Sequence, residues 1–270
     1  MIGSAQAQPR YGITKEFKVD DEEFGNLLDK ATDYQIEWID TARSYGNAES
    51  WISRSSPQRF NVATKITIKA RDRRSLLKDL NSSQDALGRN QIKTVFAHDW
   101  EDSNPIEKEL FLSLKEDKPE IKFGASLYET SSLEEILIGL HSPSIVQVPL
   151  SVLNQTFVPL LKNCQNLDLE VWARSIFLQG AINYNSPRNP FRNHPDVLNL
   201  EFFCQRLNIT PFHAALSFAS SLSVDKIVVG FESSKQLVEI AELFMECDEL
   251  RDLAMLASFD QNLIDPRRWL

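Results

Sequence analysis

A carboxylate and a phenol stand five residues apart in the stretch Ile39–Glu49, at Asp40 and Tyr45, where an apolar run gives way to a helix-start signal. Lys65 and His98 close two further apolar runs, Asn61–Lys65 and Thr94–His98. Together these side chains suit acid-assisted reduction of a carbonyl. A tyrosine of ordinary pKa, near ~10, gives up its proton poorly at neutral pH. A buried ammonium beside it stabilises the phenolate and lowers that pKa, while a carboxylate keeps the ammonium paired and oriented. A nearby imidazole hydrogen-bonds the substrate oxygen and holds it facing the phenol. Each residue alone has an ordinary structural account: Asp40 as a cap or ion-pair partner, Lys65 as a snorkelling lysine, His98 as a satisfied loop histidine, Tyr45 as a rim aromatic. Their joint placement carries the chemical reading.

That placement depends on the elements around them. Ile36-Glu37-Trp38-Ile39 has the β-branched and aromatic character of a buried strand, and Asn47 is positioned to cap a helix starting near Ala48. Further strands are expected at Ile2–Ser4, Asn61–Lys65, Thr94–His98, Lys122–Ser126, Ile145–Val148, Glu170–Arg174 and Lys226–Gly230. Helical spacing joins Phe24, Leu27, Leu28 and Ala31, then Leu76, Leu77 and Leu80 on to Leu87. It recurs in Leu133–Leu140, in Phe212-Leu216-Ala219 and in Leu237-Ile240-Leu243-Phe244. Eight strands alternating with helices in 270 residues fit one α/β domain over residues 1–270, a (β/α)8 TIM barrel, whose usual size is about 250 residues. A doubly wound sheet would carry a glycine-rich turn after its first strand, and no G-x-G-x-x-G occurs. In a barrel the strand ends bearing Asp40, Lys65 and His98 meet around one mouth. The irregular stretch Asn183–His194, with Pro187, Pro190 and Pro195, is expected to form a loop over that mouth.

Composition narrows the class. The net charge of −9 argues against a nucleic-acid or anionic-membrane partner. No apolar run approaches the roughly 18 residues that span a bilayer, and the first residues lack the basic and apolar regions of a signal peptide. The three cysteines, Cys164, Cys204 and Cys247, are dispersed and fit neither a disulfide framework nor a metal knuckle. A cytoplasmic protein without a metal is the expectation, a monomer by default. His141, His194 and His213 fall outside the strand ends and read as structural.

The chain resembles the aldo-keto reductases over almost its whole length. The resemblance rests on Ile39–Gly46 with Glu49, Ala63-Thr64-Lys65, Ala97-His98-Asp99, Gly124-Ala125-Ser126, Gln147-Val148-Pro149, Arg174–Gly180 and Ile227–Gly230. Gly3–Gln6, Tyr11-Gly12-Ile13 and Asp265–Trp269 are similar to a bacterial branch often connected with sugar or polysaccharide metabolism.

The resemblance implies that Tyr45 is the general acid, that Lys65 lowers its pKa, that Asp40 supports Lys65 and that His98 orients the carbonyl. It implies a small carbonyl substrate, no metal, and hydride from NADPH or NADH bound extended across the barrel mouth, so the missing glycine-rich fingerprint is no objection. Ser126 and Gln147 match positions that hold the nicotinamide carboxamide, and Ser4 should lie near the nicotinamide ribose. Phe177 through Gly180 match the approach to the pyrophosphate. At the adenosine end Gly230, Ser233 and Gln236 match, with Glu232 and Lys235 beside them. Leu127 stands where many members have asparagine, and Arg174 where the commoner pattern has a tyrosine stacked on the nicotinamide. A guanidinium stacks similarly but is unfavourable beside an oxidised, cationic ring.

Tyr11 and Trp100 are the expected apolar walls for substrate, Trp51 a packing residue, and Asp99 and Glu101 solvated loop acids. The sequence begins almost at its first strand, which leaves the barrel floor to another segment, for which 263–270 is the candidate. Two rivals remain: a dinucleotide-binding redox-sensing barrel with little turnover, and a metal-dependent hydrolase using Asp40 and His98, which lacks the further ligands it needs.

Overall fold

Each short apolar run of the sequence becomes a strand of one parallel sheet. The computed structural model describes residues 1–8, 11–13, 19–55, 59–88, 91–246 and 250–269; Cys247 lies outside them. The strands are β1 (Ile2–Gly3), β2 (Trp38–Asp40), β3 (Asn61–Ile66), β4 (Ile92–Ala97), β5 (Lys122–Ser126), β6 (Ile145–Pro149), β7 (Glu170–Arg174), β8 (Lys226–Ile227) and β9 (Val229–Gly230). They pair in chain order from β1 to β8, and β9 returns to β1 with Gly3 opposite Gly230. The single eighth strand expected from sequence is therefore split in two. Its first half pairs with β7, its second half with β1, and Val228 bridges them by donating its N–H to Ala173 O at 2.8 Å. The sheet closes into a (β/α)8 TIM barrel.

The helices are α1 (Asp21–Asp33), α2 (Ala48–Ser55), α3 (Arg73–Leu87), α4 (Pro105–Leu112), α5 (Thr130–Leu137), α6 (Leu161–Asn166), α7 (Pro195–Leu207), α8 (Pro211–Ser221), α9 (Ser234–Glu246) and α10 (Gln261–Ile264). Their starts follow local chemistry. The Asp20 and Asp72 carboxylates accept from the N–H groups of Glu23 and Ser75, and Asn104 with Glu107 forms a reciprocal capping box at α4. Phe24, Leu27, Leu28 and Ala31 bury one face of α1, as their spacing requires, and Trp51 packs on Phe24. The pattern Leu133–Leu140 overreaches. Gly139 adopts a positive φ just past α5, so the helix stops at Leu137 and Leu140 is left 57% exposed.

The floor is filled from within the barrel. Trp172 meets Trp38 and Phe96 edge-on at ring-centroid distances of 5.4 and 5.3 Å, and Lys226 Nζ lies 4.8 Å from the Trp38 ring. Gly124 is part of this fit, because a Cβ there would come within 2.5 Å of Ile145 O. The described part of the expected floor segment 263–270, residues 263–269, does not cover the floor. Leu263 and Ile264 pack with Val152, Leu153, Leu178 and Ile182, which follow β6 and β7 on the mouth side. The two tryptophans already close the floor, whereas the mouth-side loops expose an apolar cluster that the tail buries. Among the described residues no helix is long and apolar enough to cross a membrane.

Candidate active site

The hydrogen bonds of β2 and β3 run on past the last paired residues and set the first two functional groups. Thr41 N–H donates to Ala63 O and Arg43 N–H to Lys65 O, so the chain after Asp40 is held against β3 before it turns. Gly46 then takes φ 59°, a left-handed conformation that costs glycine nothing, and releases the chain into α2. Tyr45 is thereby turned back toward the mouth.

Lys65 Nζ lies 2.5 Å from Asp40 Oδ2 and also donates to Thr41 O at 3.1 Å; the two side chains are 1% and 6% exposed. Asp40 Oδ1 accepts from Gln147 Nε2 at 2.8 Å. The ammonium is 5.3 Å from the centre of the Tyr45 ring, and that ring meets His98 edge-on at 5.9 Å. Ser44 Oγ contacts His98 Nδ1 at 3.3 Å.

Electrostatics assigns these groups distinct states. Burial drives the Lys65 ammonium below its ordinary pKa, and the Asp40 charge opposes the fall. Burial, then the Lys65 and Arg174 charges, push His98 down to about 3, so the imidazole is neutral at physiological pH. Tyr45 lies above its ordinary value, first through burial and next through the Asp40 charge. This reverses the sign expected from sequence. Lys65 is neutralised at close range by Asp40, so the pair offers the phenol little net positive charge and burial prevails.

Asp40, Tyr45, Lys65 and His98 share one wall of a cleft of about 490 Å³. The cleft continues past Gly3, Tyr11, Ser126 and Arg174, along Phe177 and Gly180, to Gly230, Ser233 and Gln236 at the start of α9. Asn183 and Ser186 of the proline-rich loop also face it. Two expected contacts, Ser4 and Trp100, fall elsewhere, and a third, Gln147, sits behind the wall with only its side-chain oxygen unpartnered. Strand alternation turns Gly3 into the cleft, and Ser4, buried, is not on its wall; its N–H donates to Asp40 O at 2.9 Å. Gln147 is buried behind the wall, its amide N–H committed to Asp40. Trp100 is fully buried, edge-on to His141 at 5.5 Å and beneath Lys108, and forms no wall for substrate.

The aromatic wall comes instead from Tyr128, which the sequence reading passed over although it lies two residues beyond Ser126, just past a strand end. Its ring centre is 4.0 Å from the Arg174 guanidinium and 4.4 Å from that of Arg267, and Arg174 Nη2 donates to Leu127 O at 2.9 Å. Nor are Asp99 and Glu101 solvated acids. The Asp99 carboxylate accepts from the N–H groups of Ile68 and Lys69, and that of Glu101 from Tyr128 and Glu129, pinning two mouth loops. His141 and His194 are occupied structurally, by Glu109 at 2.8 Å and Asp260 at 3.1 Å.

Comparison with known proteins agrees with this fold. The model of the Aldo/keto reductase family matches residues 2–255. No curated protein matches the chain in sequence. Among solved structures, the aldo-keto reductase AKR11C1 from Bacillus halodurans is similar in its apo form at 18% identity, covering 93% of this chain and 91% of that one, with a TM-score of 0.73. Its holo form matches at 16% identity and the same TM-score, covering 96% and 94%. The aldo-keto reductase MGS-M4, from a Medee basin deep-sea metagenome library, matches at 16% identity over 89% and 87%, with a TM-score of 0.66. The chain belongs to the aldo/keto reductase family. With that family it is an NAD(P)H-dependent oxidoreductase.

The residues present fit such a nucleotide. The cleft is long and open, runs from the Tyr45 group to a helix N-terminus, and falls within the ~300–1,000 Å³ usual for ligand sites. Gln147 Oε1 is buried without a hydrogen-bond partner, beside two wall residues, Asp40 and its register neighbour Ser126. An amide donor arriving there would satisfy it.

Proposed function

We propose that this chain reduces an aldehyde or ketone to an alcohol, with NADH or NADPH as the reductant and Tyr45 as the proton donor. The carrying observation is the convergence of Tyr45, the buried Lys65–Asp40 pair and a neutral His98 on one wall of the cleft. In this reading Ser126 and the unsatisfied oxygen of Gln147 hold the nicotinamide carboxamide, Arg174 lies along the ring, and Phe177 to Gly180 line the path of the pyrophosphate. Gly230, Ser233 and Gln236 border the adenosine end. A reduced nicotinamide bound there supplies one hydride to the carbonyl carbon.

The protein's own groups do the rest. Neutral His98 donates a hydrogen bond from Nε2 to the carbonyl oxygen, with the Ser44 hydroxyl donating to Nδ1 to fix that tautomer. Tyr45 gives its phenolic proton to the same oxygen, which becomes the alcohol O–H. Lys65, held by Asp40 and Thr41 O, stands over the ring where phenolate charge develops, and attracts it more strongly than it attracts the neutral phenol. The phenolate is then reprotonated from solvent. Tyr11 and Tyr128 bound the space left for substrate.

The test is oxidation of NADH or NADPH by purified protein across a panel of small aldehydes, ketones and aldoses. Turnover that collapses in Tyr45→Phe supports the reading. Nucleotide binding without turnover on any carbonyl would favour a sensing role instead.

A further inference from the structure

The end of the cleft farthest from Tyr45 is formed by the first turn of α9 and the residues before it, Glu232, Ser233, Lys235, Gln236 and Glu239. A helix N-terminus ordinarily offers free N–H groups to an anion. Here two of those donors are already engaged. The Ser234 N–H donates to Oε1 of Glu23, which reaches across from α1. The Gln236 N–H donates to Ser233 Oγ at 3.1 Å, and Gln236 Oε1 accepts from the Glu232 N–H at 2.7 Å. Charge points the same way. Lys235 is the one cation among the described wall residues at this end, and Glu239 pairs with it at 3.7 Å. Glu23 adds further negative charge to the same turn.

We infer that this end of the cleft takes an unphosphorylated ribose and rejects a 2′-phosphate, so the chain prefers NADH to NADPH, and that Glu23 is a specificity-determining residue. The inference rests on the reading of the cleft as a nicotinamide-dinucleotide site. A dinucleotide with its nicotinamide at Tyr45 must bring its adenosine ribose toward α9, because the cleft leads there. A ribose diol can donate hydrogen bonds to carboxylates at this end. A dianionic phosphate meets carboxylates and finds the N–H groups of Ser234 and Gln236 occupied, so its lost hydration is poorly replaced.

The experiment is a fluorescence titration of the full-length protein with NADH and with NADPH, together with calorimetric titration of 5′-AMP and 2′-AMP as adenosine-end probes. The expected result is a Kd for NADH at least about tenfold below that for NADPH, with 5′-AMP bound more tightly than 2′-AMP. Glu23→Gln keeps an acceptor for the Ser234 N–H but removes the charge; it should lower the Kd for NADPH about fivefold and shift that for NADH by much less, narrowing the ratio between them. NADPH binding as tightly as NADH in the wild type overturns the inference while leaving carbonyl reduction standing. An unchanged NADPH affinity in Glu23→Gln overturns the part given to Glu23. Failure to bind either nucleotide overturns the dinucleotide reading and the inference with it.

Discussion

Gln147 Nε2 lies 2.8 Å from the oxygen of Asp40 that Lys65 does not use, so one carboxylate ties the buried amide of β6 to the ammonium of β3. The side chains of Lys65 and Asp40 are 1% and 6% exposed, and removing either partner strands a charge in a dry place. Lys65→Met should therefore destabilise the fold by about 3–5 kcal/mol, lowering Tm by on the order of 10 °C. Adding Asp40→Asn to Lys65→Met should restore part of that loss, because the second change removes the orphaned charge. Thermal and urea unfolding of the wild type and the two variants decides it. A Lys65→Met protein as stable as the wild type would show that the pair carries no buried charge.

Tyr45 is placed to donate its proton and makes no structural hydrogen bond through its hydroxyl among the described residues. Tyr45→Phe should cut kcat by about 10²–10⁴-fold, the usual worth of a positioned general acid, with Tm and nucleotide Kd unchanged. Unaltered turnover would remove Tyr45 from the role proposed for it.

The protonation states set the pH response. With His98 held down to about 3 and Tyr45 raised above its ordinary value, neither group changes charge around neutrality. kcat/KM should be flat from about pH 6 to 9, without the inflection that an ordinary histidine gives near ~6.5. Stability has a definite sign. Unfolded His98 takes up its proton near the ordinary 6.5, whereas the folded chain resists until about 3, so the unfolded state binds more protons in between. The fold should lose stability as pH falls from 6.5 toward 3, and His98→Gln should lose less over that window. Parallel losses in both proteins would mean that His98 titrates normally.

How much of this was legible follows from what the signals encode. The strand ends at Asp40, Lys65 and His98 could be read because a barrel turns a one-dimensional strand order into a ring at its mouth. Helices α1 and α3 were readable from their apolar spacing, whereas α4 declares itself only through Asn104, Pro105 and Glu107 at its start, a capping signal without a long apolar stripe. Trp100 misled because whether an aromatic just past a strand end faces inward or outward depends on a loop turn, which Asp99 sets with two bonds from backbone N–H groups. Ser4 misled for a similar reason, since a two-residue strand gives too little alternation to fix its face. The Tyr45 pKa direction was unreadable because it depends on depth of burial and on the close approach of Lys65 to Asp40, which no spacing reports. Glu23 at α9 is 211 residues from its partner, beyond any local pattern.

Arg174 gives the last test. Its guanidinium lines the same wall as Lys65 and His98, lies over Tyr128 and has no carboxylate of the described residues within ion-pair distance. If the nicotinamide lies along it, as proposed, the neutral reduced ring is tolerated and the cationic oxidised ring is repelled. Two like charges about 4 Å apart interact by on the order of 1 kcal/mol even with water-like screening. The wild type should thus bind the reduced nucleotide about fivefold more tightly than the oxidised one, measured as paired Kd values by fluorescence titration. Arg174→Gln keeps a planar polar group and removes the charge, so it should erase the difference chiefly by improving affinity for the oxidised form. A wild type that favours the oxidised nucleotide would place the ring away from Arg174 and require another role for its charge.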